Sequence, residues 1–139
     1  MVADCGRYAV ADGVTGLLRA CDAVAVVTGS SLREVRAAGR VAALLVEELE
    51  VRPGGRRVSV LVIRPGDPYP GSEIAASCAV PLLGELPDDP RAAAVWSDGD
   101  RPWRGFGRSA LQRQACRVAA RLAEIGTLER VDGPGRGAA

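Results

Sequence analysis

The chain has 139 residues, of which 47% are hydrophobic and 25% charged, and its formal net charge is +1. This length allows one domain, and the composition is that of an ordinary globular protein. No apolar run reaches the roughly 18 residues of a membrane span, and the N-terminus lacks a signal-peptide pattern. We therefore expect a cytoplasmic protein.

The residue types that the chain lacks exclude most common catalytic machinery. All 18 basic residues are Arg, and the sequence contains no Lys, His or Asn. Without Lys and His there is no phosphate-binding Gly-Lys-Ser/Thr loop, no Schiff base and no Ser-His or Cys-His pair. The four cysteines are widely separated, which excludes a Cys-x-x-Cys metal motif and predicts free, reduced thiols.

Apolar runs alternate with helical patterns along the chain, which predicts βαβ units and a parallel sheet. The capping-box pair Ser31 and Glu34 marks the start of the longest helix. Residues 1–125 are expected to form the α/β domain, followed by a disordered tail, 126–139. In chain order the expected elements are a strand end at Val2 and Ala3, a helix at 14–20, a strand at 23–28, a helix at 31–50, a strand at 58–63, a helix at 72–78, a strand at 80–85, a helix at 91–97 and a helix from 109.

The first predicted strand looks incomplete. Asp4 follows only three residues, whereas a buried strand usually has about five. Such a sheet has an uncovered apolar edge. We expect either a protein partner or a second copy of the chain to cover it, or polypeptide to be missing.

Candidate functional residues follow the strands, because ligands of doubly wound sheets bind beyond the carboxyl ends of the strands. An apolar strand that ends in Asp and is followed by Gly, as at Asp4 and Gly6, is typical of nucleoside triphosphatases, where the carboxylate lies near Mg²⁺. The alternative is an Asp that caps the next turn beside a permissive Gly. The four strand-end segments are 4–7, 28–31, 64–67 and 87–90.

Three stretches in this order carry a family resemblance: 2–7, then 21–28 with 35–41, then 80–90, whose segment PLLGELPDDP is the most specific. Together they resemble the C-terminal half of the MinD/ParA family of deviant P-loop ATPases, particularly its actinobacterial CpaE-like and septum-site-determining branch. The resemblance runs from Val2 to about Glu124. It implies a parallel doubly wound, P-loop NTPase-like sheet without the N-terminal P-loop half, and ATP and Mg²⁺ as cofactors.

The resemblance also implies roles for individual residues. Asp4 corresponds to the carboxylate that holds a Mg²⁺-bound water, and Gly6 to the glycine that senses the γ-phosphate. The loop of Pro87, Asp88 and Asp89 corresponds to the segment that frames the adenine base, mostly through backbone groups.

Two departures from the family pattern limit the expected activity. Arg64, which we include among the candidate nucleotide-binding residues, stands where family members usually carry an Asn that contacts adenine. The phosphate-binding loop, its lysines and switch I would all lie before Met1, so we expect no ATP hydrolysis by this chain alone. We predict an interaction module related to partitioning or positioning proteins. The alternative is an ATPase of chromosome partitioning, septum placement or pilus localisation, active when the missing half is supplied.

A cationic surface is the second candidate. Six Arg and no carboxylate lie between residues 101 and 121, and Trp103 and Phe106, interpreted as core or lid residues, stand among them. The predicted surface suits DNA phosphates or an anionic membrane. The alternative is a solvated helix face that pairs with acids elsewhere. The residues of this surface are Arg108, Arg113, Arg117 and Arg121.

Overall fold

Among the residues that the structure describes, three parallel strands form the centre of the fold. The computed structural model describes residues 2–6, 15–52, 55, 57–66 and 68–132, and of residues 128–132 the backbone only. The elements are α1 (Thr15–Ala20), β1 (Val24–Thr28), α2 (Leu32–Glu48), β2 (Val58–Ile63), α3 (Gly71–Cys78), β3 (Leu82–Leu86), α4 (Pro90–Ser97), a 3₁₀ turn (Phe106–Arg108) and α5 (Ala110–Asp132).

The strands lie in the order β1-β2-β3, and both pairs are parallel. The β1–β2 register runs from Val24 opposite Val58 to Thr28 opposite Val62, while the β2–β3 register shifts by one residue after Val60. β-Branched residues dominate β1 and β2, as is common in strands buried on both faces. All three carboxyl ends meet at one edge of the sheet, which is the edge where a ligand is expected.

Helices cover both faces of the sheet, which confirms the predicted doubly wound parallel architecture. On the first face, the valines of β2 pack against α2 and α3 in the larger core cluster. On the second face, Leu83 of β3 packs against α5 in a smaller cluster. The α5 members of that cluster are Val118, Leu122 and Ile125.

Helix α5 lies unusually close to β3 at Gly84. A Cβ atom at this position would stand 2.6 Å from Cγ2 of Val118, nearer than carbon atoms can approach without displacement. Val118 is buried and, being β-branched, has little rotamer freedom within a helix. The missing side chain of Gly84 is therefore what allows α5 to seat on this strand.

The predicted strand end at Val2 and Ala3 is wrong. Residues 2–6 have no strand hydrogen bonding, and Val2 is 94% exposed, because so short a segment cannot form a ladder by itself. Residues 7–14 lie outside the described residues. At the other end, α5 continues past the predicted boundary at Gly126, and the Thr127 hydroxyl donates to the Ala123 carbonyl at 2.9 Å within the continued helix. Residues 133–139 of the predicted tail also lie outside the described residues.

Strand β1 is an edge strand whose second face is incompletely covered. Among the described residues, β1 pairs with β2 alone. Ala23 and Ala25 contact the smaller core cluster, so Val27, two residues further along the strand, projects from the same face. Val27 is nevertheless 59% exposed. An apolar side chain on the sheet thus stands largely in solvent.

Candidate functional site

A cleft of about 530 Å³ opens at the carboxyl edge of the sheet. Each strand contributes the residues that directly follow it, so three loops converge on one site. Its volume falls within the roughly 300–1,000 Å³ that is usual for small-molecule sites. The lining residues are Ser30, Ser31, Glu34, Arg64, Pro65, Pro87 and Asp88.

The wall beyond β1 is built around a capping box. The Ser31 hydroxyl lies 2.5 Å from Oε2 of Glu34, and the Ser31 backbone N–H donates to the same oxygen at 3.2 Å. The Glu34 N–H in turn lies 3.4 Å from the Ser31 oxygen, which satisfies the first turn of α2. Gly29 makes room for this carboxylate, because a Cβ there would lie 2.5 Å from both Glu34 oxygens.

The same contacts keep Glu34 ionised. Hydrogen bonds from the Ser31 side chain and backbone lower the pKa of the Glu34 carboxyl, and the positive charge of Arg64 lowers it further. The cleft wall beyond β1 therefore carries a negative charge at neutral pH.

The wall beyond β2 contains a residue in an uncommon backbone conformation. Arg64 has a φ of 54°, in the left-handed region that non-glycine residues seldom occupy. Its N–H donates to the Leu86 carbonyl at 2.9 Å, which extends the β2–β3 pairing to the edge of the cleft. This turn directs the chain into Pro65 and leaves the Arg64 side chain exposed at the cleft.

The wall beyond β3 divides its three predicted residues between two roles. Pro87 and Asp88 line the cleft. Asp89 instead caps α4, because its Oδ1 accepts from the Ala92 N–H at 3.0 Å and Pro90 occupies the first helical turn. The structure thus brings Arg64, Pro87 and Asp88 together, while their binding roles, and that of Asp89, stay predictions.

Asp4 and Gly6 are not among the residues that line the cleft. Oδ1 of Asp4 accepts from the Gly6 N–H at 2.8 Å, and Gly6 has a φ of 60°. This is the geometry of an Asp that caps a turn beside a permissive glycine, the alternative that the sequence left open. Both residues are exposed.

The residues that the structure describes do not form a magnesium site on their own. Mg²⁺ needs about six oxygen ligands, which usually include one or two carboxylates and the phosphates of a substrate. Asp4 offers a single exposed carboxylate, one oxygen of which already accepts a hydrogen bond. Within the described ranges there is no cluster of three His, Cys, Asp or Glu residues that could hold a metal ion.

The charges of the cleft do not suit a triphosphate. Among the described residues that line the cleft, there is one cation, Arg64, and there are two carboxylates, Glu34 and Asp88. A bound triphosphate carries several negative charges, which proteins normally balance with backbone N–H groups, Lys and a metal ion. A neutral nucleoside meets no such repulsion in this cleft.

The predicted cationic surface consists of exposed arginines on α5 and the preceding 3₁₀ turn. Arg113 donates to the Arg108 carbonyl, and Nη1 of Arg121 donates to the Leu83 carbonyl at 2.7 Å. These two side chains therefore also hold backbone groups in place. None of the four predicted arginines forms an ion pair with a described carboxylate, so the alternative of pairing with acids elsewhere is unsupported in that part of the chain.

Sequence reasoning missed the position of Glu34 in the cleft. The strand-end rule did select residues 28–31, but the capping pattern gave Glu34 a purely structural role. The usable signal was that the first turn of a helix after a strand lies beside the same sheet edge. A capping carboxylate there can serve the helix and the cleft together.

The fold is a parallel α/β sheet with helices on both faces, as in part of a P-loop NTPase domain. A solved structure of the MinD cell division protein of Aquifex aeolicus is similar, with a TM-score of 0.65 and 19% identity. The match covers 83% of this chain and 49% of that chain, so it spans about half of the MinD chain. No protein-family model and no curated protein matches the sequence. The likeness at this identity is one of fold.

None of the described helices is long and apolar enough to cross a membrane.

Proposed function

We propose that this chain is an interaction module with a MinD/ParA-like fold, related to partitioning or positioning proteins, and that it does not hydrolyse ATP by itself. The edge at β1, which is open in the part of the chain that the structure describes, carries this proposal. Parallel sheets are normally covered on both faces, yet Val27 on this sheet is 59% exposed. Covering Val27 and the edge would bury apolar surface that otherwise stays in water.

The backbone of β1 supports the same proposal. The Val24 N–H donates to the Arg57 carbonyl at 2.7 Å, so alternate residues of β1 bond toward β2. The N–H and C=O groups of Ala25 and Val27 consequently face the open edge, where a further strand can pair with them. Such a strand can come from a protein partner, from a second copy of the chain or from polypeptide outside the described residues.

Site-specific photo-crosslinking in cells tests this proposal. A photoreactive amino acid at position 27 should yield discrete crosslinked products, either to another protein or to a second copy. The matched control carries the same group at Leu44, which is 44% exposed but lies on α2, away from the sheet edge. Equal crosslinking from both positions would contradict a specific partner at β1.

An ATPase is the second candidate, favoured by the cleft at the carboxyl edge of a MinD-like fold. In this case another polypeptide supplies the phosphate-binding loop, and the cleft receives the base end of the nucleotide through Pro87 and Asp88. Gly6 and Asp4 would approach the phosphates and Mg²⁺ only in that assembly. The chromosome, the septum and a pilus are the cargoes that the family resemblance suggests.

Titration calorimetry with the chain alone tests whether this chain binds ATP without another polypeptide. We expect the Kd for ATP with Mg²⁺ to be above about 100 μM, which corresponds to a binding free energy of roughly −5.5 kcal/mol. Adenosine should bind at least as tightly as ATP. Arg64→Gln should weaken whatever ATP binding remains. Arg33→Gln, on the exposed surface of α2 outside the cleft, is the control. ATP binding that is tighter than this limit would favour the ATPase.

A further inference from the structure

The two tryptophans and the single phenylalanine of the chain lie together outside both core clusters. Phe106 is in the middle: its ring centroid lies 6.0 Å from that of Trp96 and 5.3 Å from that of Trp103. Both contacts are edge-to-face, with interplanar angles of 81° and 75°. The cluster fastens the segment between α4 and α5 to α4.

This cluster is not buried as a core would be. Trp96 is 51% exposed, and Trp103 and Phe106 are only half-buried. The edge-to-face contacts are a favourable arrangement of aromatic pairs. They do not explain why half of the Trp96 side chain is left exposed to solvent. Trp96 therefore offers a rigid aromatic surface held in place by its neighbour Phe106.

Guanidinium groups accompany the aromatic rings. The Arg91 guanidinium lies 4.2 Å from the centroid of a Trp103 ring, a cation–π contact. Arg104 follows Trp103 directly, and Arg108 ends the 3₁₀ turn that Phe106 begins. Both are exposed. We call this set the aromatic–arginine surface: Arg91, Trp96, Trp103, Arg104, Phe106 and Arg108.

The arginines of this surface are available to bind anionic groups. Asp98 and Asp100 lie in the same segment, but no described carboxylate forms an ion pair with Arg91, Arg104 or Arg108. Between residues 101 and 121 the chain has six Arg and no acidic residue. The guanidinium groups of Arg91, Arg104 and Arg108 can therefore contact phosphates without first breaking an ion pair with a described carboxylate.

We propose that the aromatic–arginine surface binds single-stranded nucleic acid, with a base stacked on Trp96 and phosphates on the neighbouring arginines. Base stacking on aromatic side chains and phosphate contacts with Arg are the two elements of such sites. In a duplex the base faces are already stacked on one another, so Trp96 adds nothing to duplex binding. The proposal depends on neither the cleft nor the β1 edge.

Fluorescence anisotropy with a labelled oligothymidine of about 12 nucleotides tests the proposal, since single-strand sites span roughly 4–16 nucleotides. Trp96→Ala should weaken binding about fivefold or more, whereas Trp96→Phe should retain most of it. Arg104→Gln should weaken binding and reduce its dependence on salt. Leu44→Ala, which removes an exposed apolar side chain from α2, should change neither property.

Three further measurements complete the test. A strand of the same length without bases should bind at least fivefold more weakly than oligothymidine, because it cannot stack. Thermal unfolding and circular dichroism of Trp96→Ala should resemble those of the unmodified chain. The proposal would be overturned if the baseless strand bound as tightly as oligothymidine, or if an acidic peptide competed as well as unlabelled oligothymidine. An unchanged affinity of Trp96→Ala for oligothymidine would also overturn it.

Discussion

Oε1 of Glu85, near the carboxyl end of β3, accepts a hydrogen bond from the backbone N–H of Gly71 at a distance of 2.8 Å. Gly71 is the first residue of α3, and Pro70 at its N-cap provides no capping side chain. The first N–H groups of a helix need acceptors from outside the helix. A strand residue 14 positions further along the chain provides one here. Glu85 therefore joins α3 to the sheet.

Removing this acceptor should destabilise the fold. We expect Glu85→Ala to lower the free energy of unfolding by about 1 kcal/mol, the usual effect of losing a helix cap. Glu85→Gln keeps an acceptor oxygen and should lose less. The measurement is urea denaturation, and the control is Glu47→Ala, an exposed position on α2 with no such contact. An equal loss from both alanine variants would contradict the capping role.

The close approach of α5 to β3 gives a second prediction. Gly84→Ala should destabilise the protein by about 1–3 kcal/mol, because the added methyl group collides with Val118. Combining it with Val118→Ala should cost less than the sum of the two single changes, since the smaller side chain removes the collision. Chemical denaturation of the unmodified chain, the two single variants and the double variant gives the coupling free energy between the two positions. Gly107→Ala, where a Cβ meets no atom within 4 Å, is the control.

The sequence patterns predicted local features well. The capping box of Ser31 and Glu34 is confirmed, with both of its hydrogen bonds present, because it depends on residues three apart. The contacts between Glu85 and Gly71 and between Gly84 and Val118 were not predictable. They join distant segments, and nothing in the composition of either segment indicates its neighbour.

The candidate site was predictable in position but not in detail. The rule that ligands bind beyond parallel strands selected all three loops of the cleft, because β1, β2 and β3 end at one edge. It did not indicate that Arg64 adopts a left-handed backbone conformation and donates its N–H to the Leu86 carbonyl of the next strand. Nor did it indicate that Asp89 caps α4 while Asp88 lines the cleft.

Glu34 gives a prediction for pH. Its pKa is lowered in the folded protein, so the ionised carboxylate stabilises the fold at pH values above the pKa that the unfolded chain has. This contribution is lost as the pH falls through the folded-state pKa. The stability of the unmodified chain should therefore decline on acidification below about pH 4.5, and Glu34→Gln should show a smaller decline. Thermal unfolding at a series of pH values measures both.

The cysteines provide a test of burial. Burial raises the pKa of the Cys78 thiol, and the thiolate is the form that reacts. Cys116 is exposed and should react first with a thiol reagent at mildly alkaline pH. Cys78 should become reactive only when the protein unfolds. Mass spectrometry of partly labelled protein gives the order, and early labelling at Cys78 would contradict the packing of α3.

Two arginines one turn apart on α5 separate packing from binding. Arg121 donates to the Leu83 carbonyl, so Arg121→Gln should reduce the free energy of unfolding by about 1 kcal/mol. Arg117 is exposed, so Arg117→Gln should leave stability unchanged.

Because Arg117 lacks a packing role, it is the clean probe of the predicted cationic surface. Arg117→Glu should weaken binding to duplex DNA or to anionic vesicles, and more strongly at low salt, where charges are less screened. Arg36→Glu, an exposed position on α2, across the sheet from α5, makes the same change in net charge and is the control. If the two variants have equal affinities for duplex DNA and for anionic vesicles, α5 presents only a solvated face.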